Sequence, residues 1–106
     1  MLSDRDARVA GEFATRVRDR FPEARIWVFG SRARGTPAAD SDLDVCIAVD
    51  RLDDEVDRAI IRTAWEVGLD HDILISTVTY SISELDAGPC SESPLVRVIQ
   101  EEGVAA

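Results

Sequence analysis

The chain has 106 residues, enough for one domain and too few for a second independent core. Its formal net charge of −9, from 21 acidic and 12 basic residues, excludes a sequence-independent grip on DNA or RNA, which needs a basic surface to replace phosphate counterions. All 12 basic residues are arginine, so chemistry that requires a Schiff-base or P-loop lysine is excluded as well.

The opening MLSDRDARVA lacks the basic start and apolar stretch of a signal peptide. Ser3 followed by Asp6 instead predicts a helix N-cap with an acidic N3 partner. Val9, Ala10, Phe13, Ala14, Val17 and Phe21 recur at helical spacing, and Pro22 stops the run. Arg25 to Phe29 is short, β-branched and aromatic, and reads as a strand punctuated by Gly30. Residues 31–41 are turn-rich. Leu43 to Val49 alternates, with Leu43, Val45, Ile47 and Val49 on one face and Asp42, Asp44, Cys46 and Ala48 on the other, which predicts a second strand. Cys46, in an apolar run, is expected to be a buried thiol, and with Cys90 it makes no disulfide framework.

Asp53 to Val67 has the apolar stripe of a helix in Val56, Ala59, Ile60, Ala64 and Val67, with Gly68 ending it. The acids Asp50, Asp53, Asp54, Glu55 and Asp57 form a solvated cluster that complements the dipole at its N-terminus. Asp72 to Val78 reads as a third strand and Leu85 to Ser93 as a polar connection. Ser93-Pro94 then supplies the N-cap and first position of a last helix, with Leu95, Val96 and Ile99 inward and Gly103 as its stop. Trp27 and Trp65 read as core or interface anchors, and His71 as a surface or edge histidine. No apolar run approaches the roughly 20 residues that span a bilayer. The expectation is a soluble, cytoplasmic, single α/β (α+β) domain over residues 1–106, with a mixed sheet of at least three strands flanked by helices.

The chemistry lies in VFGSRARGTPAADSDLDV. A strand ends in Gly30-Ser31, where a glycine admits a ligand close to the backbone and a serine adds a hydroxyl beside free N–H groups. A short helix beginning at Ser31 would add an anion-attracting N-terminus. Arg32 and Arg34, in the same turn, could add charge-assisted hydrogen bonds to phosphate oxygens. Ten residues separate Ser31 from Asp42-Leu43-Asp44. Two positions apart on a strand means one shared side, with Cα atoms about 6.5–7 Å apart, so both carboxylates can converge on one or two divalent cations. Hard oxygen donors favour Mg²⁺ or Mn²⁺ over Zn²⁺, and paired cations suit in-line phosphoryl displacement. Two rival motifs fail. An EF-hand loop starting at Asp40 would have Val45 where glycine is needed and Arg51 where glutamate is needed; a P-loop starting at Gly30 would have Thr36 in place of the lysine.

Gly-Ser, ten residues, then Asp-x-Asp resembles the signature of the polymerase-β-like nucleotidyltransferase superfamily. The GSRARG wording and small size look most like its minimal nucleotidyltransferase (MNT) branch, and the C-terminal SPLVRVIQEEGV looks like the ending of such proteins. The resemblance is specific over Val28 to Val45 and continues loosely to Ile75. It implies a polymerase-β-like palm fold in which Gly30 and Ser31 hold nucleotide phosphates and Asp42 and Asp44 bind Mg²⁺ or Mn²⁺. It also implies a third carboxylate on a later strand that helps activate the attacking hydroxyl. Asp72, directly before Ile73-Leu74-Ile75, is the favoured residue, and Asp70 is the alternative. Members of this branch resemble antitoxins that pair with a HEPN-type ribonuclease toxin, some by adenylylating it. The expected activity is therefore transfer of a nucleoside monophosphate, AMP from ATP, to a hydroxyl of a toxin partner, because 106 residues leave no room for the helical domain that shapes the acceptor site in larger relatives. The competing expectation is an inactive module of the same fold that neutralises a toxin by binding only.

Overall fold

Ser3 sets the start of the first helix: its Oγ accepts the Asp6 N–H at 3.1 Å, and α1 runs over Asp4–Arg20. The computed structural model describes residues 2–35, 41–86 and 93–106. Val9, Ala10, Phe13, Ala14 and Val17 are buried along α1 as their spacing requires, and the helix closes at Phe21, just before Pro22. Strand β1 (Arg25–Phe29) leads without a break into a short helix α2 (Gly30–Arg34), one residue earlier than the expected start at Ser31. Strand β2 (Leu43–Val49) pairs antiparallel with β1, Phe29 lying opposite Asp44. Helix α3 (Asp54–His71) starts at Asp53, whose side chain accepts the Val56 N–H, and returns the chain to β3 (Ile75–Ser81), parallel to β2.

The third strand is displaced from the expected Asp72–Val78, and the cause lies at Gly68. That glycine does not end α3. It lets the helix approach the strand: a Cβ there would stand 2.5 Å from the Ile73 carbonyl oxygen. The helix runs on to His71, and Asp72 closes it in a left-handed conformation (φ 55°), so 72–74 become the turn rather than the strand. Part of the expected polar connection is also helical. Helix α4 (Ile82–Asp86) buries Leu85, while the remainder up to Glu92 lies outside the described residues. Helix α5 (Pro94–Glu102) has its N-cap at Ser93 and its end at Gly103, as expected. Strand β4 (Val104–Ala105) has no sequence signature; it pairs with β1 at Trp27 and Val28.

The sheet order is β3-β2-β1-β4. One face, built from Ile26, Val28, Leu43, Val45, Ile47, Val49 and Ile75, packs on α1 and α3 and forms the main core. Fully burying such a side chain contributes about 1.5–3 kcal/mol. On the other face Phe29, Cys46 and Ala48 meet Ile99, Leu85 and Val96 of the C-terminal helices, with Trp27 and Tyr80 between them. Asp44 shares this second face with Cys46 and Ala48, as the alternation predicts, and Asp42 lies just before the strand, near enough to act electrostatically on Asp44. Trp27 is thus an anchor, whereas Trp65 is 59% exposed. His71, half-buried, meets Glu12 of α1 at 2.5 Å and helps join α1 to α3. Among the described residues no helix is long and apolar enough to cross a membrane.

Candidate active site

The end of β1 and the start of β2 bring the Gly-Ser turn against the acidic pair. Gly30 takes φ 80°, a left-handed value that glycine adopts without penalty, and so converts strand into helix within one residue. Its missing side chain matters as much. A Cβ at Gly30 would overlap Asp44 Oδ2 and stand 3.3 Å from Asp44 Cγ. Ser31, half-buried, follows at once in α2. Asp42 lies two residues before Asp44, and both carboxylates are half-buried.

The electrostatics of the pair follow from that crowding. The Asp44 carboxyl is held above the ordinary carboxylate range, first by burial and then by the neighbouring Asp42, while Arg34 pulls it the other way. A cation beside Asp44 would relieve that repulsion. The residues present fit a hard divalent ion: Mg²⁺ is commonly held by one or two carboxylates, with substrate phosphates and water completing its shell. Cys46, next on the same face, is no competing ligand, because burial pushes its thiol up to about 12 and leaves it protonated.

The two arginines of the turn have different surroundings. Arg32 Nη1 donates to both carboxylate oxygens of Asp6 at 3.0 and 3.1 Å, and its Nε and Nη2 donate to the Ser41 carbonyl at 2.9 and 2.7 Å. The side chains of Arg32 and Asp6 are only 11% and 3% exposed. Arg32 therefore ties the first turn of α1 to the residue that precedes Asp42, rather than standing free for a phosphate. Asp6 belongs to this support; its only sequence signal was the helix-capping position. Ser41 Oγ is buried with no hydrogen-bond partner among the described residues. Arg34, by contrast, is half exposed, pairs with Glu102 at 3.2 Å and acts electrostatically on Asp44.

The expected third carboxylate is not brought to this pair. Asp72 is exposed at the end of α3, and Asp70 is bound to Arg16 Nη2 at 3.2 Å. Because β3 begins only at Ile75, the residue lying beside Asp44 on the shared face is Ser76. Leu74, whose carbonyl accepts the Leu43 N–H at 2.9 Å, precedes it. No group of three or more His, Cys, Asp or Glu that could hold a metal occurs among the described residues.

The structure is a small α/β domain with a four-stranded mixed sheet between helices and a Gly-Ser turn seated against Asp44 of the Asp-x-Asp pair. The chain belongs to the nucleotidyltransferase domain family, whose profile matches residues 11–105. Its fold is similar to that of a toxin-antitoxin crystallised with AMP-PNP, at a TM-score of 0.63 and 21% identity over 91% of this chain and 70% of that one. It is similar to a mutant form of the MntA-HpeT toxin-antitoxin as well, at a TM-score of 0.63 and 19% identity over the same shares of the two chains. At these identities the likeness is one of fold. A search of curated protein sequences gave no match.

Proposed function

We propose that this nucleotidyltransferase domain moves AMP from ATP to a hydroxyl of a protein partner and releases pyrophosphate. The observation that carries the reading is the contact between Gly30 and Asp44, which sets the Gly-Ser turn directly against Asp44 of the acidic pair. In this reading the backbone of Gly30 and the hydroxyl of Ser31 receive the nucleotide phosphates, and Asp42 and Asp44 hold Mg²⁺ or Mn²⁺. The metal, when bound, neutralises phosphate charge and polarises the reacting phosphorus. Arg34 exchanges its exposed partner Glu102 for a phosphate oxygen, since a surface ion pair costs little to break. Arg32 acts one step back, holding Ser41 and hence the approach to Asp42. The acceptor oxygen bonds to the α-phosphorus, the bond to the α–β bridging oxygen breaks, and the hydroxyl proton is lost to solvent.

The partner in this proposal is a HEPN-type toxin met in the cytoplasm. The MNT-like wording of the turn supports it, as do the toxin-antitoxin neighbours in fold, one of them with AMP-PNP. The net charge of −9 suits a basic partner. A second reading, neutralisation by binding alone, is favoured by one observation: Ser76 rather than an acid lies beside Asp44.

One experiment separates them. Purified protein, Mg²⁺, α-labelled ATP and the toxin are incubated together, with Asp42→Ala and Asp44→Ala as controls. Label on the toxin that both substitutions abolish supports transfer. No label with wild type, together with full neutralisation by both variants, establishes the binding-only reading. Label that survives both substitutions overturns the assignment of the acidic pair.

A further inference from the structure

Helix α3 buries Ile60, Ala64, Val67 and Gly68 against the sheet, yet it is apolar on its outer side too. Ile61, Trp65 and Leu69 are 40%, 59% and 73% exposed, and Leu74, just beyond the helix, is 56% exposed. Trp65, Leu69, Asp72 and Leu74 border a groove of about 210 Å³. Isolated exposed apolar residues are ordinary, but a continuous stripe of large ones on a single helix marks a surface meant to be covered.

The order of residues along the stripe points to what covers it. Ile61 and Leu69 stand four residues either side of Trp65, and Arg58 and Asp72 stand seven either side. At helical spacing Arg58, Ile61, Trp65 and Leu69 fall on one narrow face, and Asp72, the C-cap of the helix, borders the same groove as Trp65 and Leu69. The stripe is therefore complementary to itself when reversed. Arg58 and Asp72 are both exposed, and neither side chain has a hydrogen bond or ion pair among the described residues.

We propose that this face is a homodimer interface, in which two copies of α3 pack antiparallel about a two-fold axis at Trp65. In that arrangement Trp65 meets the partner's Trp65, Ile61 meets the partner's Leu69, and Arg58 meets the partner's Asp72. An isologous interface requires this reciprocity. Parallel packing would instead oppose Arg58 to Arg58 and Asp72 to Asp72, and like charges at an interface rim select against such a register. The net charge of −9 on each chain opposes approach at long range, but ordinary salt screens that beyond about 8 Å, and the stripe itself balances one cation with one anion. The inference stands apart from the proposed transfer, since neither Gly30 nor the acidic pair lies on α3.

Sedimentation velocity over a wide concentration range tests it on the full chain. The wild type should pass from 11.6 kDa to twice that mass as concentration rises. Trp65→Ser should remain monomeric with an unchanged circular dichroism spectrum. Arg58→Asp and Asp72→Arg should each weaken association about tenfold or more, and an equimolar mixture of the two should restore it, because each then faces an opposite charge. Asp72 sits at φ 55°, where arginine is strained, so Asp72→Asn serves as a second variant that removes the anion in a tolerated conformation and should also weaken association. A wild type that stays at 11.6 kDa throughout overturns the proposal. So does a dimer that survives Trp65→Ser, or a mixture that stays monomeric.

Discussion

Gly30 and Asp44 are in contact across the β1–β2 junction: the space a methyl group would take at Gly30 is filled by the Asp44 carboxylate. The register explains it, since Phe29 pairs with Asp44 and Gly30 is the next residue. The same glycine therefore serves the turn, through its positive φ, and the acidic pair, through its missing side chain. The short motif acts as one unit.

Gly30→Ala tests that unit. A side chain in the left-handed region costs about 1–2 kcal/mol, and here it must also displace Asp44. We expect Tm to fall by several degrees, about 4–8 °C per kcal/mol in a domain this small. Transferase activity should fall further than the stability loss explains. Unchanged melting and activity would show that the contact carries neither role.

The raised Asp44 carboxyl gives a pH signature. Its folded state holds the proton more tightly than the unfolded chain, so its contribution favours the fold at acid pH and is lost as pH rises through the folded value. Asp44→Asn should therefore stabilise the metal-free protein modestly at neutral pH, and the advantage should vanish below the ordinary carboxylate range. Mg²⁺ should raise the Tm of the wild type and leave that of Asp44→Asn almost unmoved. Thermal melts from acid to neutral pH, with and without Mg²⁺, measure both effects.

Arg32 and Arg34 should separate cleanly. Arg32→Ala strands the buried Asp6 carboxylate and should cost about 3–5 kcal/mol, visible in urea unfolding. Arg34→Ala breaks an exposed pair and should change stability by about 0.5 kcal/mol or less, while raising the KM for ATP. If Arg34→Ala leaves KM unchanged, Arg34 does not meet the phosphates.

Cys46 is fully buried and its thiol is pushed up to about 12. In a Cys90→Ser background a thiol reagent should modify Cys46 only through opening of the protein, with strong dependence on urea. Rapid labelling of that variant under native conditions would contradict the place of Cys46 under α5.

Much of this was legible in the residues. Alternation in Leu43 to Val49 placed Asp44 on one face with Cys46 and Ala48, because a strand has period two whatever surrounds it, and Ser3, Pro22, Ser93 and Gly103 marked helix ends through local geometry. The misses are tertiary. Gly68 carries the sequence mark of a helix end, yet its size serves packing on Ile73; nothing local distinguishes the two uses. That one misreading moved the third strand and put Asp72 in the wrong place. The partnership of Arg32 with Asp6 spans distant elements, so an arginine beside a phosphate-type turn reads as a ligand when it is a strut. Strand β4 is only two residues long and takes its form from β1.

In the proposed function Asp42 and Asp44, seated beside Gly30, form one metal-nucleotide site. Mn²⁺ titration followed by electron paramagnetic resonance, with and without a non-hydrolysable ATP analogue, tests it most directly. The analogue should tighten Mn²⁺ binding in the wild type, and Asp42→Ala and Asp44→Ala should each abolish most of that binding while circular dichroism is unchanged. Mn²⁺ binding that neither substitution affects would contradict it.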